Sequence, residues 1–134
     1  EDNTLTRFDA LDPEPRVLQD VWTHIALVKD GTEFRVYING NFSFSYTAPS
    51  AINITGPYQI GFIDNYFAGK IDDIRFWNVS RTATEIANNI DTALTGNETG
   101  LVSYYTFNEG VADGTNAGLT TLPDNTASAN NGTA

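Results

Sequence analysis

The sequence has no cysteine, no methionine and one histidine, His24. Without thiols there are no disulfides, so a fold of this size holds by packing alone. With one imidazole there is almost no raw material for histidine- or thiol-based nucleophilic catalysis, or for a His/Cys zinc site. His24 lies inside an apolar run and is more simply a hydrogen-bonded structural residue. Basic side chains are also scarce: 7 Lys and Arg stand against 17 Asp and Glu, for a formal charge of -10 and a pI near 4.2. Such a surface repels phosphate backbones and anionic headgroups, so nucleic acid is not an expected partner. No apolar run approaches the ~20 residues that cross a bilayer, and no membrane insertion is expected. Glu1-Asp2-Asn3 has neither the basic start nor the apolar segment of a signal peptide. The expectation is a chain that starts after processing or within a longer protein.

What is present is the composition of a folded domain. Within 134 residues, 40% are hydrophobic and 12% aromatic, enough for one domain with a real core. Residues 1–15 are polar, carry Pro13 and Pro15, and read as a loop or arm with at most a short strand at Leu5–Phe8. Arg16–Gln19 reads as an edge strand. Trp22–Lys29 is apolar at successive positions, as a strand covered on both faces requires. Asp30-Gly31 is a turn signal, Phe34–Ile38 alternates cleanly, and Asn39-Gly40 is a hairpin turn that leads into Phe42–Thr47. After a loop over 48–57, Tyr58–Ile63 reads as a strand.

Gly69–Asn78 is the stretch around which the rest is organised. Extended, it places Asp72, Ile74 and Phe76 on one face and Ile71, Asp73, Arg75 and Trp77 on the other. Both faces are largely apolar, so both are expected to be covered. Asp73 and Arg75 share a face and are suited to pair. Thr82-Ala83-Thr84-Glu85 matches a capping box, and Ile86, Ile90 and Leu94 recur at helical spacing, which predicts a short helix over about 82–94. Gly100–Phe107 is the last clear strand. Residues 111–134 are rich in Asn, Gly and Thr and read as a loop or extended arm.

Four words in this order carry a resemblance: Trp22–Val28 with Asp30-Gly31, Phe34–Gly40, Ile71–Asn78, and Gly100–Gly110 leading to Asp124 and Asn130–Thr133. Together they resemble the laminin-G-like, concanavalin-A-like jelly-roll domains, in the cysteine-free form of large bacterial secreted proteins. The resemblance implies an all-β, antiparallel jelly-roll sandwich over residues 16–110 with one short helix. The family's opening strands, with their Phe-Asp-Gly-like turn, have no counterpart here, so a longer parent chain is expected.

Two clusters qualify as candidate calcium sites, because that ion takes oxygen ligands from Asp, Asn and backbone carbonyls in Gly-rich loops. One is Asp64-Asn65; the other is Glu109, Asp113, Asn116 and Asp124. Turn-forming Asn and Asp explain both without a metal. Glycan binding needs exposed aromatics beside hydrogen-bonding groups, and Tyr58, Asp64, Asn65 and Tyr66 supply that combination. The same tyrosines are also ordinary for a sandwich. Asp72, Asp73, Arg75, Trp77, Thr82 and Glu85 are assigned structural roles. A glycosidase would need two carboxyls ~5 to ~10 Å apart, whereas Asp72 and Asp73 fall on opposite faces of one strand.

The expectation is a non-catalytic, extracellular recognition module of a large bacterial surface or secreted protein, with a glycan or a surface protein as its partner. A structural spacer in an adhesin, an accessory domain of a secreted hydrolase, and cargo captured by an export apparatus are the alternatives. The Asn-x-Ser/Thr triplets at Asn41, Asn53, Asn78, Asn97 and Asn131 are expected by chance in so Asn- and Thr-rich a chain.

Overall fold

The computed structural model describes residues 17–52, 56–62, 65–111 and 114–133. The predicted Leu5–Phe8 strand lies outside them. Among the described residues the strands are all paired antiparallel and there is one short helix, as a concanavalin-A-like β-sandwich requires. Two compact units divide the chain. One takes in Thr82–Asp91 with the described chain up to Ala51, and the other holds Ile52–Arg81 and the chain from Thr92 onward.

The first unit is a three-stranded meander, β1 (Ile25–Asp30), β2 (Glu33–Ile38) and β3 (Asn41–Thr47), joined by tight turns. Asn39 and Gly40 have φ of 49° and 76°, the two positive values that let the turn follow the strands' twist. Gly40 is needed for a second reason: a Cβ there would press on Ala87 and the Ile90 side chain. The hairpin is extended by one rung, with Asn39 N–H donating to His24 O and His24 N–H to Asn39 Oδ1, both at 2.9 Å. Register is direct along β1 and β2. Between β2 and β3 it shifts at Val36/Tyr37, so that Tyr37 opposes Phe42, its ring edge-on at 5.9 Å.

Helix α1 (Ala83–Asn88) completes this unit. Thr82 Oγ1 accepts from Glu85 N–H at 3.2 Å, and Glu85 Oε2 accepts from Thr82 N–H at 2.8 Å, a full capping box. Ile86 is buried against Val28 and Tyr37, with Ala26 beside them. The helix ends sooner than the 82–94 spacing predicts, and Asn89 is the reason. Its side-chain amide donates to Glu85 O at 2.7 Å, taking the carbonyl that the next helical N–H would use, while its own N–H goes back to Ile86 O. Ile90 and Leu94 therefore lie beyond the helix. Thr82→Ala is expected to cost about 1 kcal/mol, lowering the midpoint of thermal unfolding by a few degrees.

Three further expectations for the strands are corrected. Of the expected Arg16–Gln19 edge strand, Arg16 lies outside the described residues and the rest is not a strand: Gln19 and Asp20 form a turn, with Asp20 at φ 60°. The second face of β1 is not covered, since Ile25 and Leu27 are more than half exposed. Tyr58–Phe62 is not a strand either, and Ile63, the last residue of that expectation, lies outside the described residues. Gly61, at φ 77°, turns the chain, and the only pairing described there is an isolated bridge between Phe62 and Tyr66.

In the second unit β4 (Ile74–Trp77) pairs with β5 (Leu101–Tyr105). The organising stretch is thus regular over four residues only. Asp73 has φ 53°, which ends the alternation before Ile74, and a register shift falls between Phe76 and Trp77. The chain after 110 is more structured than an arm: β6 (Thr121–Leu122) pairs with β7 (Gly132–Thr133), and the segment between them is tied to β5.

Candidate functional site

The tie between that segment and β5 is Asp124. Its carboxylate is buried. Oδ1 accepts from Tyr104 N–H and Thr126 N–H, and Oδ2 from Asn130 N–H and the Thr126 hydroxyl, at 2.9 to 3.0 Å. Burial by itself raises its pKa. The bonds from Tyr104, Thr126 and Asn130 outweigh burial, so the carboxyl sits below its ordinary value. Asn131 Oδ1 accepts from Asp124 N–H, the Tyr105 hydroxyl donates to Asn130 O, and Asn130 Nδ2 donates to Ser103 Oγ. The bond between Asp124 and Asn131 braces the segment itself, the bonds from Tyr105 and to Ser103 join it to the strand, and sequence reading missed this clamp. Its local trace is the Asp-x-Thr spacing, which permits the turn closed by Thr126 N–H.

The other members of the proposed calcium cluster have separate positions. Asn116 closes its own loop, accepting from Val111 N–H through Oδ1 and donating to Val111 O through Nδ2. Glu109 is exposed in a bend, and Asp113 lies outside the described residues. Among the described residues, no group of three or more His, Cys, Asp or Glu is placed to hold a metal.

At the start of β4, Arg75 carries a fork of bonds. Its Nε and one terminal nitrogen reach the two oxygens of Asp73, at 2.5 and 2.9 Å, and the same nitrogen donates to Thr92 O at 2.8 Å. The guanidinium lies over the Tyr104 ring, 5.6 Å from its centroid. A planar, bidentate, stacked arginine of this kind fixes geometry, and lysine cannot replace it. Asp72 Oδ1 accepts from Asp73 N–H, which supports the turn into β4. Trp77 carries the Arg81 guanidinium over its ring at 4.2 Å.

The aromatics of residues 58–67 form the remaining feature. Tyr58 stacks on Phe76 with centroids 4.8 Å apart and planes 29° apart, and Phe76 in turn meets Tyr105 edge-on. Tyr58 is thereby backed on one face by β4 while 62% of its surface stays exposed. The bridge between Phe62 and Tyr66, with Phe67 N–H donating to Gly61 O at 2.7 Å, brings two more rings together. Phe62 and Tyr66 are 5.0 Å apart and inclined at 51°, and Tyr66 is 85% exposed. Asn65 is exposed beside them, while Asp64 lies outside the described residues. A cluster of rings held open to solvent loses the burial energy that aromatic side chains normally bring to a fold. It is therefore a surface suited to gain energy by covering an apolar face of something else.

The chain belongs to the family Laminin_G_3 of the concanavalin A-like lectin/glucanases superfamily, whose model matches residues 2–87. That span includes the meander, the aromatic segment, β4 and most of α1. β5 and the Asp124 clamp lie past it. Among solved structures, an S-layer domain-containing protein from Clostridium thermocellum is similar at 24% identity and a TM-score of 0.43, over 56% of this chain and 42% of that one. This chain therefore spans less than half the length of that structure. No curated protein matches the chain in sequence. Among the described residues, no helix is long and apolar enough to cross a membrane.

Proposed function

We propose that this domain is a non-catalytic, extracellular recognition module that binds carbohydrate through the aromatics of residues 58–67. The observation that carries the reading is the exposure of Tyr66 and Tyr58 while each is braced by a second ring, Phe62 and Phe76 respectively. A sugar's C–H face packs against such rings, and braced rings lose little side-chain entropy on binding. A superfamily that includes lectins is consistent with this. The non-catalytic part is supported by the two adjacent acids: both Asp73 oxygens are engaged by Arg75, and Asp72 accepts from the Asp73 amide.

A glycan array probed with the wild-type domain and with Tyr58→Ala/Tyr66→Ala tests the reading. The wild type is expected to bind at least one carbohydrate class, and the double variant to lose about tenfold or more of that affinity. Repeating the array in a chelator tests whether calcium takes part. A wild type that binds no glycan overturns recognition of carbohydrate and leaves a spacer in a surface protein as the better account.

A further inference from the structure

We infer that the aromatic site grips a single, neutral, solvent-borne glycan chain and does not lie on the face of a crystalline polysaccharide; this rests on the carbohydrate reading above. The geometry of the rings carries the argument. An ordered polysaccharide surface is flat, and a protein that adheres to it needs rings whose planes coincide. Phe62 and Tyr66 are inclined to each other at 51° with centroids only 5.0 Å apart, so a flat surface laid on one ring meets the other edge-on or misses it. Such a pair suits one sugar ring against Tyr66, with the neighbouring residue of a bent chain turning toward Phe62. Their exposure differs in the same sense: Tyr66 is 85% exposed and Phe62 39%, so one ring is the open platform and the other its side wall.

Charge selects among the chains that fit. The protein carries a formal charge of -10, and in the unit that holds the rings acidic side chains outnumber basic ones. Two of that unit's cations are already engaged, Arg75 by Asp73 and Thr92 O, and Arg81 by the Trp77 ring. A uronate or sulfated polymer would therefore approach a field of its own sign with few partners for its acids. Neutral hexose chains meet no such barrier. Their hydroxyls find hydrogen-bonding groups in the Tyr66 phenol and the exposed Asn65.

The test is calorimetric titration of the whole domain with soluble gluco-, manno- and N-acetylglucosamine tri- and hexasaccharides. It runs in parallel with depletion assays on microcrystalline cellulose and crystalline chitin, and with titration of sodium polygalacturonate. At least one neutral oligosaccharide is expected to bind, and Tyr66→Ala and Phe62→Ala are each expected to weaken it about tenfold, while Tyr66→Phe keeps most of the affinity. Tyr66 is so exposed that its removal does not threaten the fold, and far-ultraviolet circular dichroism of each variant checks this. Saturable depletion by a crystalline powder, abolished by Tyr66→Ala, would overturn the single-chain inference and leave carbohydrate recognition standing. Tighter binding of polygalacturonate than of any neutral chain would overturn the charge argument alone. Binding to none of these probes would overturn the inference together with the reading it rests on.

Discussion

Asp124→Ala is expected to lower stability by about 3 kcal/mol or more, because three backbone N–H groups and a hydroxyl lose their acceptor together. In a domain of this size that is roughly 10 °C in the midpoint of thermal unfolding. Asp124→Asn should fall between the two: one oxygen remains for Tyr104 N–H and Thr126 N–H, while an NH2 group now faces the Asn130 amide. The pH dependence has a definite sign. The folded carboxyl lies below its ordinary value, so its contribution is complete above the unfolded pKa of about 3.9. It disappears as the pH falls through the lower, folded value. The gap between wild type and Asp124→Asn is thus expected to be constant near neutral pH and to close below about pH 4. Guanidinium unfolding across that range measures it, and a gap that widens in acid would contradict the clamp.

That clamp also shows where sequence reading stops. The meander was legible because its signals are local: alternation in β2, and an Asn-Gly pair whose positive φ values the structure displays. The capping box was equally legible, since Thr82 and Glu85 are three residues apart. The end of the helix was not, because the competition between the Asn89 side chain and its backbone for Glu85 O leaves Ile90 and Leu94 at perfectly helical spacing. Asp124 meets Tyr104 across 20 residues. In an Asn-, Gly- and Thr-rich stretch no periodicity announces such a partner, and the residue resembled a calcium ligand because acceptor-rich loops look alike whether a cation or a set of N–H groups fills them.

The same distinction applies to the aromatic segment. Tyr58 and Tyr66 stood out in the sequence by type, but Phe62 was assigned to a strand, where its ring would have been ordinary sheet packing. Its pairing with Tyr66 depends on the turn at Gly61 and on a bridge too short to have a pattern. Asp73 is a parallel case. Its partnership with Arg75 follows from their spacing, whereas its φ of 53°, which bounds β4 just before Ile74, does not.

Gly96→Ala is expected to be nearly as damaging as loss of the Asp124 carboxylate, about 2 to 4 kcal/mol, and for two separable reasons. Gly96 is buried at φ 86°, where an L side chain is strained. Its Cβ would also overlap the carbonyl oxygen of Asn125. That carbonyl is not free to retreat, because Asn125 N–H donates to Tyr104 O at 2.8 Å and Asn125 Nδ2 to Thr106 Oγ1 at 3.1 Å. Gly31→Ala separates the two causes: Gly31 has φ 59° with nothing within 4 Å of an added Cβ, so it should show the backbone cost of about 1 kcal/mol alone. The excess at Gly96 then measures how rigidly the segment after Asp124 is held on β5. Because Asp124 and Asn125 anchor the same segment, Gly96→Ala in the Asp124→Ala background should cost less than in the wild type. Equal costs for Gly31→Ala and Gly96→Ala by urea unfolding would mean that the Asn125 backbone yields, and that the clamp does not fix it.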